Sequence, residues 1–574
     1  TAVLARSDLG LVFEHKSFDR LAIVEVGDVE PVSESYHLVG KKVPIVVEAN
    51  QRVVELENGD GMRVSLIVRV SNDAVGFRYR YSGSDDRIEA ELTSFTFAEP
   101  GQAWIQPHEP PGIGSPAYEA LYTNGVPIGH VQSVPSWNMP ALFSTATAWV
   151  LLAESDVASG NFVAHLQPDG DLTYRLELPQ PSEGMSRDPA GEPIETVWRS
   201  PWRLIIVSSD LAGLVESTAV DDFASPSRLD DLSWIRPGRV SWSWWSDHAS
   251  PRNPDALRAF IDLSAEFRWE HTLIDANWNE MSEATLTGLL DHAADRHVGV
   301  FLWYNSGGSN NVVPEQPRDR MDDPQVRRAE MKWLASQGVA GIKVDFFQSD
   351  RTDIISRYLD IAEDAAAEGL MVNFHGCTAP KGWERTWPNV MTMEAVRGAE
   401  QYFFAPDYPE TAIWHNTVLP FTRNVVGSMD YTPVTFSNQQ YPHLTTAGHE
   451  LALSVVFHSN LQHFADSVAS YDALDRPVRL FLTDVPAVWD EVRLLDGHPG
   501  DYVVLARRSG DRWWIGGING VTPRRVDVDV SALSRGGSWE SISGPGLDVE
   551  EVDKESMSFN LAPGDGFVMW QPEH

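Results

Sequence analysis

Between residues 240 and 394 short apolar runs alternate with longer amphipathic ones, and this alternation restricts the fold more than any other feature of the chain. Val240–Trp245, His271–Ala276, Val298–Tyr304, Gly341–Phe347, Leu370–His375 and Val390–Glu394 are short and rich in branched and aromatic residues. Helical patterns over Pro254–Phe267, Ser282–Arg296, Pro324–Gln337 and Asp353–Glu368 separate the first five. Strand, helix and strand in series demand crossover connections, hence a parallel sheet. Six strands are clear, and a seventh and eighth are harder to place between Asn416 and Asp466. The natural closure is a (β/α)8 barrel, whose chemistry sits at the C-terminal ends of its strands.

The flanks read differently. Up to residue 232 the chain is a series of short strands, such as Met62–Val70 and Ala74–Tyr81, punctuated by polar turns. From residue 491 the pattern returns, with Asp501–Ala506, Arg512–Gly516 and Arg525–Val530. We therefore expect a large N-terminal β-sandwich over 1–232, a catalytic barrel over 233–490 and a small C-terminal β-sandwich over 491–574.

Net charge bounds the partners. At -38 the chain lacks the cationic surface that nucleic acid or an anionic membrane requires. No apolar run reaches the length of a membrane span, and the lone Cys377 excludes both an internal disulfide and a cysteine-based zinc site. No signal-peptide core precedes the first strands, which points to the cytoplasm; a leader removed earlier would point to the periplasm or to secretion. Whether the chain is a monomer or a homo-oligomer is open at this level. Twenty-one tryptophans fit either a large core or faces that stack on sugar rings.

Polar residues gather at the strand ends. In Gly341–Phe347, Lys343 and Asp345 share one face because side chains alternate along a strand. Asp275 closes the second strand, Trp303 the third, His375 the fifth and Glu394 the sixth, with Glu400 six residues on. There is no phosphate-cradling glycine loop and no Gly-x-Ser-x-Gly elbow. Two carboxylates flanking a glycosidic bond are the minimal machinery for cleaving it, and further glutamates can hold Ca²⁺ through oxygen. A cation-dependent barrel enzyme using Asp345 and Glu394 for enolate chemistry is the rival reading.

Long stretches carry a resemblance. Gly341–Phe347, Asn373–Asn389 and Met393–Glu400, together with Ser241–Trp245, Thr422–Pro433 and Trp489–Arg493, resemble glycoside hydrolase family 97. The resemblance implies a large N-terminal sandwich, a catalytic barrel and a C-terminal sandwich. It implies a nucleophile at Asp345 and an acid/base at Glu400. Inverting members lack the aspartate and carry a base glutamate after the histidine matching His375; here that residue is Gly376, so the retaining branch is expected. The resemblance further implies calcium held by Glu154, Glu394 and Glu400, with Lys343, His375 and Asp275 as sugar contacts; Trp303, at its strand end, is expected to join them. The expected substrate is an α-galactoside, taken by double displacement between carboxyls about 5–5.5 Å apart. A β-L-arabinopyranosidase, an α-glucosidase and a non-catalytic carbohydrate-binding relative are the alternatives.

Overall fold

The computed structural model describes residues 2–572 apart from 84–86, 132–135, 180–182, 184–196, 534–537 and 553–555. Parallel strands Gly238–Trp242, His271–Ile274, Gly299–Asn305, Gly341–Asp345, Met371–Phe374 and Val390–Met393 follow one another around a barrel. Leu461–Phe464 closes it by pairing with Gly238–Trp242. One position between Val390–Met393 and Leu461–Phe464 holds no regular strand. There Met429 makes a single parallel bridge to Met393, and the Asp430 amide donates to the Met393 carbonyl at 3.0 Å. Thr432 and Val434, just beyond, have φ of 58° and 67°, so the chain cannot run on extended. The expected (β/α)8 closure therefore holds with an irregular seventh position, which explains its weak pattern in the sequence.

The helices begin where side chains can cap them. Asn253 accepts from the amides of Asp255 and Ala256, and Asp323 from those of Gln325 and Val326. Pro254 and Pro324 stand at the first helical position, where no N–H is needed. The fourth strand, Gly341–Asp345, is buried along its whole length, as a strand covered on both faces must be.

Two antiparallel units flank the barrel. The N-terminal one is built on a 14-stranded sheet and a 3-stranded sheet. Its long strand Ile45–Glu57 buries Ile45, Val47 and Ala49 in alternation with exposed neighbours. The C-terminal one packs a 6-stranded sheet on the pair Arg524–Asp529 and Ser556–Leu561, with Val526, Val528 and Phe559 facing Ile515 and Phe567. One apolar cluster runs through all three units, from Trp202 and Phe223 past Trp242 and Leu451 to Trp514 and Trp570.

Polar contacts also tie the N-terminal unit to the barrel. The loop after the fourth strand carries Asp350, whose Oδ2 accepts from the Tyr118 hydroxyl at 2.5 Å and lies 2.9 Å from His165 Nε2. The Val163 amide donates to the Asp350 carbonyl at 3.1 Å. Among the described residues no helix is long and apolar enough to cross a membrane.

Candidate active site

The C-terminal ends of the barrel strands open into a cavity of about 590 Å³, lined by Asp275, Trp303, Lys343, Asp345, His375, Glu394 and Glu400. These are the strand-end residues singled out from sequence. A common backbone device delivers them. Each of four strand ends is followed within three residues by a left-handed residue: Asn277 at φ 71°, Phe346 at 68°, Gly376 at 49° and Ala395 at 42°. Three of these are not glycine, and such conformations cost energy that the surrounding packing must hold in place. The reversals turn the chain away sharply and leave the preceding side chain pointing into the cavity.

Asp345 is oriented by two donors. Its Oδ1 accepts from the Phe346 amide at 2.8 Å and its Oδ2 from Trp303 Nε1 at 3.1 Å. Burial raises its pKa to about 6, against the opposing pull of Lys343 and His375. The Lys343 charge favours the ionised form of Asp345. Its ammonium also pairs with Asp275 Oδ2 at 3.2 Å and lies 4.7 Å from the Trp242 ring, and burial of Asp345 is the larger effect. Asp275 is locked further by Trp242 Nε1 at 2.8 Å and the Ala276 amide at 2.7 Å.

Glu400 sits where the sixth strand's loop enters the helical turn Gln401–Phe404. Burial, and then the neighbouring Glu394 carboxylate, push its pKa up to about 8. It therefore holds a proton at neutral pH while Asp345 does not, the division of labour that acid and nucleophile require. His375 is framed by acids. Its Nε2 is 2.7 Å from Asp430 Oδ2, and its Nδ1 is 3.2 Å from Glu394 and 3.8 Å from Glu400. Burial works against its charged form, but Glu394 and Asp430 outweigh burial and hold it protonated, well above the ordinary histidine range. The Gly376 amide fixes Glu394 by donating to Oε2 at 2.8 Å.

Glu154 requires a correction. It lies on strand Trp149–Ser155 of the N-terminal sheet, ion-paired to Arg203 and, at 3.2 Å, to Lys381, and it does not line the cavity. Its oxygens are engaged by those two cations and by the Ala164 amide at 3.1 Å. The glutamate that reaches the cavity from the N-terminal unit is Glu119, which accepts from Gln401 Nε2 at 2.9 Å. Burial, then the charges of Glu394, Glu109 and Glu400, drive its pKa well above the carboxylate range. Glu119 stands in an irregular stretch with no period to mark it. Trp242, Trp244 and Asp430 also escaped assignment; the first two were visible only as a tryptophan-rich strand.

The donor chemistry fits a hard divalent cation. Glu119, Glu394 and Glu400 all line the cavity, and burial, then nearby like charge, raises the pKa of Glu119 and Glu400. His375 Nδ1 lies among ligand atoms within 4.8 Å of one another at Glu394 and Glu400. Among the described residues Asp345 belongs to no such group; its two oxygens accept from the Phe346 amide and Trp303 Nε1.

Comparison with known proteins agrees with this geometry. Family models described as Glycosyl-hydrolase 97 N-terminal, Glycoside hydrolase 97, and Glycosyl-hydrolase 97 C-terminal, oligomerisation match residues 1–226, 234–396 and 488–543. A protein of Streptomyces bingchenggensis (strain BCW-1) named probable retaining alpha-galactosidase is 34% identical over 553 residues, 94% of this chain and 81% of its own length. A retaining alpha-galactosidase of Bacteroides thetaiotaomicron is 30% identical over 407 residues, 64% of this chain and 59% of its own. A solved beta-arabinopyranosidase superposes with TM-score 0.93 at 30% identity, covering 100% of this chain and 95% of that one. A family 97 enzyme from Pseudoalteromonas sp. strain K8 shares the fold at TM-score 0.85 and 21% identity, over 99% of this chain and 95% of that one. With three family models in chain order and a relative matching nearly end to end, the chain belongs to glycoside hydrolase family 97 and is a glycosidase.

Proposed function

We propose that the protein is a retaining, exo-acting α-galactosidase. The observation that carries this reading is one cavity that brings the Asp345 and Glu400 carboxyls together, with burial raising the pKa of each, and glycine at 376 where a base would otherwise stand. Asp345 attacks the anomeric carbon as Glu400 gives its proton to the leaving oxygen, forming a glycosyl-enzyme. Glu400, now ionised, takes a proton from water, and the water oxygen displaces Asp345. Two inversions leave the configuration retained. Lys343, Asp275 and the faces of Trp242 and Trp303 form a buried floor suited to a single terminal sugar. The relatives named retaining alpha-galactosidase support this substrate. The solved beta-arabinopyranosidase favours a second reading, since arabinopyranose has the galactose ring configuration without its hydroxymethyl group.

Glu119, Glu394 and Glu400 would hold a Ca²⁺ ion, with His375 beside them. Bound there, the ion supplies positive charge that stabilises the clustered carboxylates. Proton NMR of freshly released sugar tests the reaction: the α-anomer of galactose is expected first, and initial β-anomer from an α-galactoside would refute retention. In Asp345→Gly, azide should restore turnover as a β-galactosyl azide.

A further inference from the structure

We propose that the mouth of the catalytic cavity is a binding site for an apolar, aromatic aglycone, so that the substrates are aryl or aralkyl glycosides of neutral alcohols in preference to oligosaccharides. The inference rests on the glycosidase reading above and adds the leaving-group side to it.

A ladder of nearly parallel rings leads from the floor to the surface. Trp242, whose indole N–H holds Asp275, stacks on Trp244 with centroids 5.6 Å apart and planes 16° apart. Trp244 stacks on His248 at 3.9 Å and 21°, and His248 lies 6.2 Å and 20° from Phe404. Phe404 is 54% exposed, and Ile113, reaching in from the N-terminal unit, is 78% exposed. Isolated exposed apolar residues are ordinary. These two line the same cavity as Asp345 and Glu400, beside the exposed end of the ring ladder.

The side of the cavity is fixed by the chemistry. Phe404 follows Glu400 by four residues across the single turn Gln401–Phe404, and residues four apart in a helix share a face. The acid protonates the leaving oxygen, so the wall shared by Glu400 and Phe404 is the leaving-group wall. On that wall Gln401 Nε2 already donates to Glu119 at 2.9 Å. Charge excludes acidic aglycones. Among the described lining residues Lys343 is the one lysine or arginine, and it is buried on Asp275; Glu119 and Glu315 line the cavity too. Burial lowers the pKa of His248, so it presents a neutral ring.

The test compares leaving groups of similar intrinsic reactivity. A panel of glycosyl fluorides first identifies the sugar accepted, with galactosyl fluoride expected; another sugar would overturn the substrate assignment but leave the aglycone question readable. With the accepted sugar, the benzyl glycoside is expected to exceed the methyl glycoside in kcat/KM by about tenfold or more, from the apolar area it buries. It should also exceed the corresponding disaccharide. Phe404→Ala and Ile113→Ser should each pull the benzyl-to-methyl ratio toward one; because the ratio is taken within one preparation, partial loss of folded protein cancels. Equal rates for benzyl and methyl glycosides, a preference for the disaccharide, or variants that keep the wild-type ratio would overturn the proposal. So would a fall in sedimenting mass of Phe404→Ala with an unaltered ratio, which would assign these side chains to contact between copies of the chain.

Discussion

Asp345 and Glu400 differ in the proton each carries at neutral pH, and activity should follow that difference. Below about 6 Asp345 takes up a proton and loses its nucleophilic charge; above about 8 Glu400 gives its proton away and can no longer protonate the leaving oxygen. A bell-shaped kcat/KM profile is expected from stopped assays across pH, with the alkaline limb drawn below about 8 by a cation bound at Glu400. Glu400→Gln should flatten the alkaline limb and lower kcat for unactivated substrates by about 10²–10⁴-fold, with smaller loss for aryl leaving groups. Asp275→Ala leaves the Lys343 ammonium buried without its ion-pair partner, which should cost about 3–5 kcal/mol in urea unfolding. At this scale much was legible before any coordinates. Asp275, Lys343, Asp345, His375 and Glu394 were readable because each ends, or nearly ends, a strand whose alternation is plain. Glu119 was not, because an irregular segment gives a carboxylate no address. Glu154 was misplaced for a related reason: a glutamate in an apolar strand signals burial, but not whether a metal or, as here, Arg203 and Lys381 compensates it.

Among the elements, the strand-to-loop reversals decide the site's shape. Two of their positions were hidden because Phe346 and Ala395 are not residues that announce a left-handed turn, whereas Asn277 is of a type that adopts one readily. Gly376 is the glycine among them, and it is confined twice. A Cβ there would stand 2.8 Å from Asp345 Oδ1 and 2.7 Å from the Phe346 amide nitrogen. Gly376→Ala should therefore cost about 1–3 kcal/mol by thermal denaturation. It should also displace the nucleophile, lowering kcat well beyond the loss of folded protein. The same crowding makes a carboxylate at 345 and a side chain at 376 incompatible, which gives a steric basis for the two-branch pattern of the family resemblance. The irregular seventh position of the barrel was the hardest element to read, since a single bridge at Met429 leaves no run of alternation.

At the level of the whole molecule, the three units were legible as changes of pattern, but their mutual dependence was not. Gln401 and Glu119 are 282 residues apart in sequence, and no local pattern encodes such a contact. With one apolar core crossing all three units and buried ion pairs such as Lys381–Glu154 between them, scanning calorimetry should show one cooperative transition. Separate melting of the N-terminal unit would contradict that coupling. If Glu119, Glu394 and Glu400 hold Ca²⁺ as proposed, a chelator should lower activity and the melting temperature together, with both restored by added Ca²⁺. Tyr118, Val163 and His165 grip the loop that leaves the Asp345 strand, and all three lie ahead of that loop in the sequence. On the ribosome the gripping surface is thus synthesised before the segment it receives. A circular permutant that begins with the barrel reverses this schedule, and should reach the same folded enzyme more slowly and in lower yield.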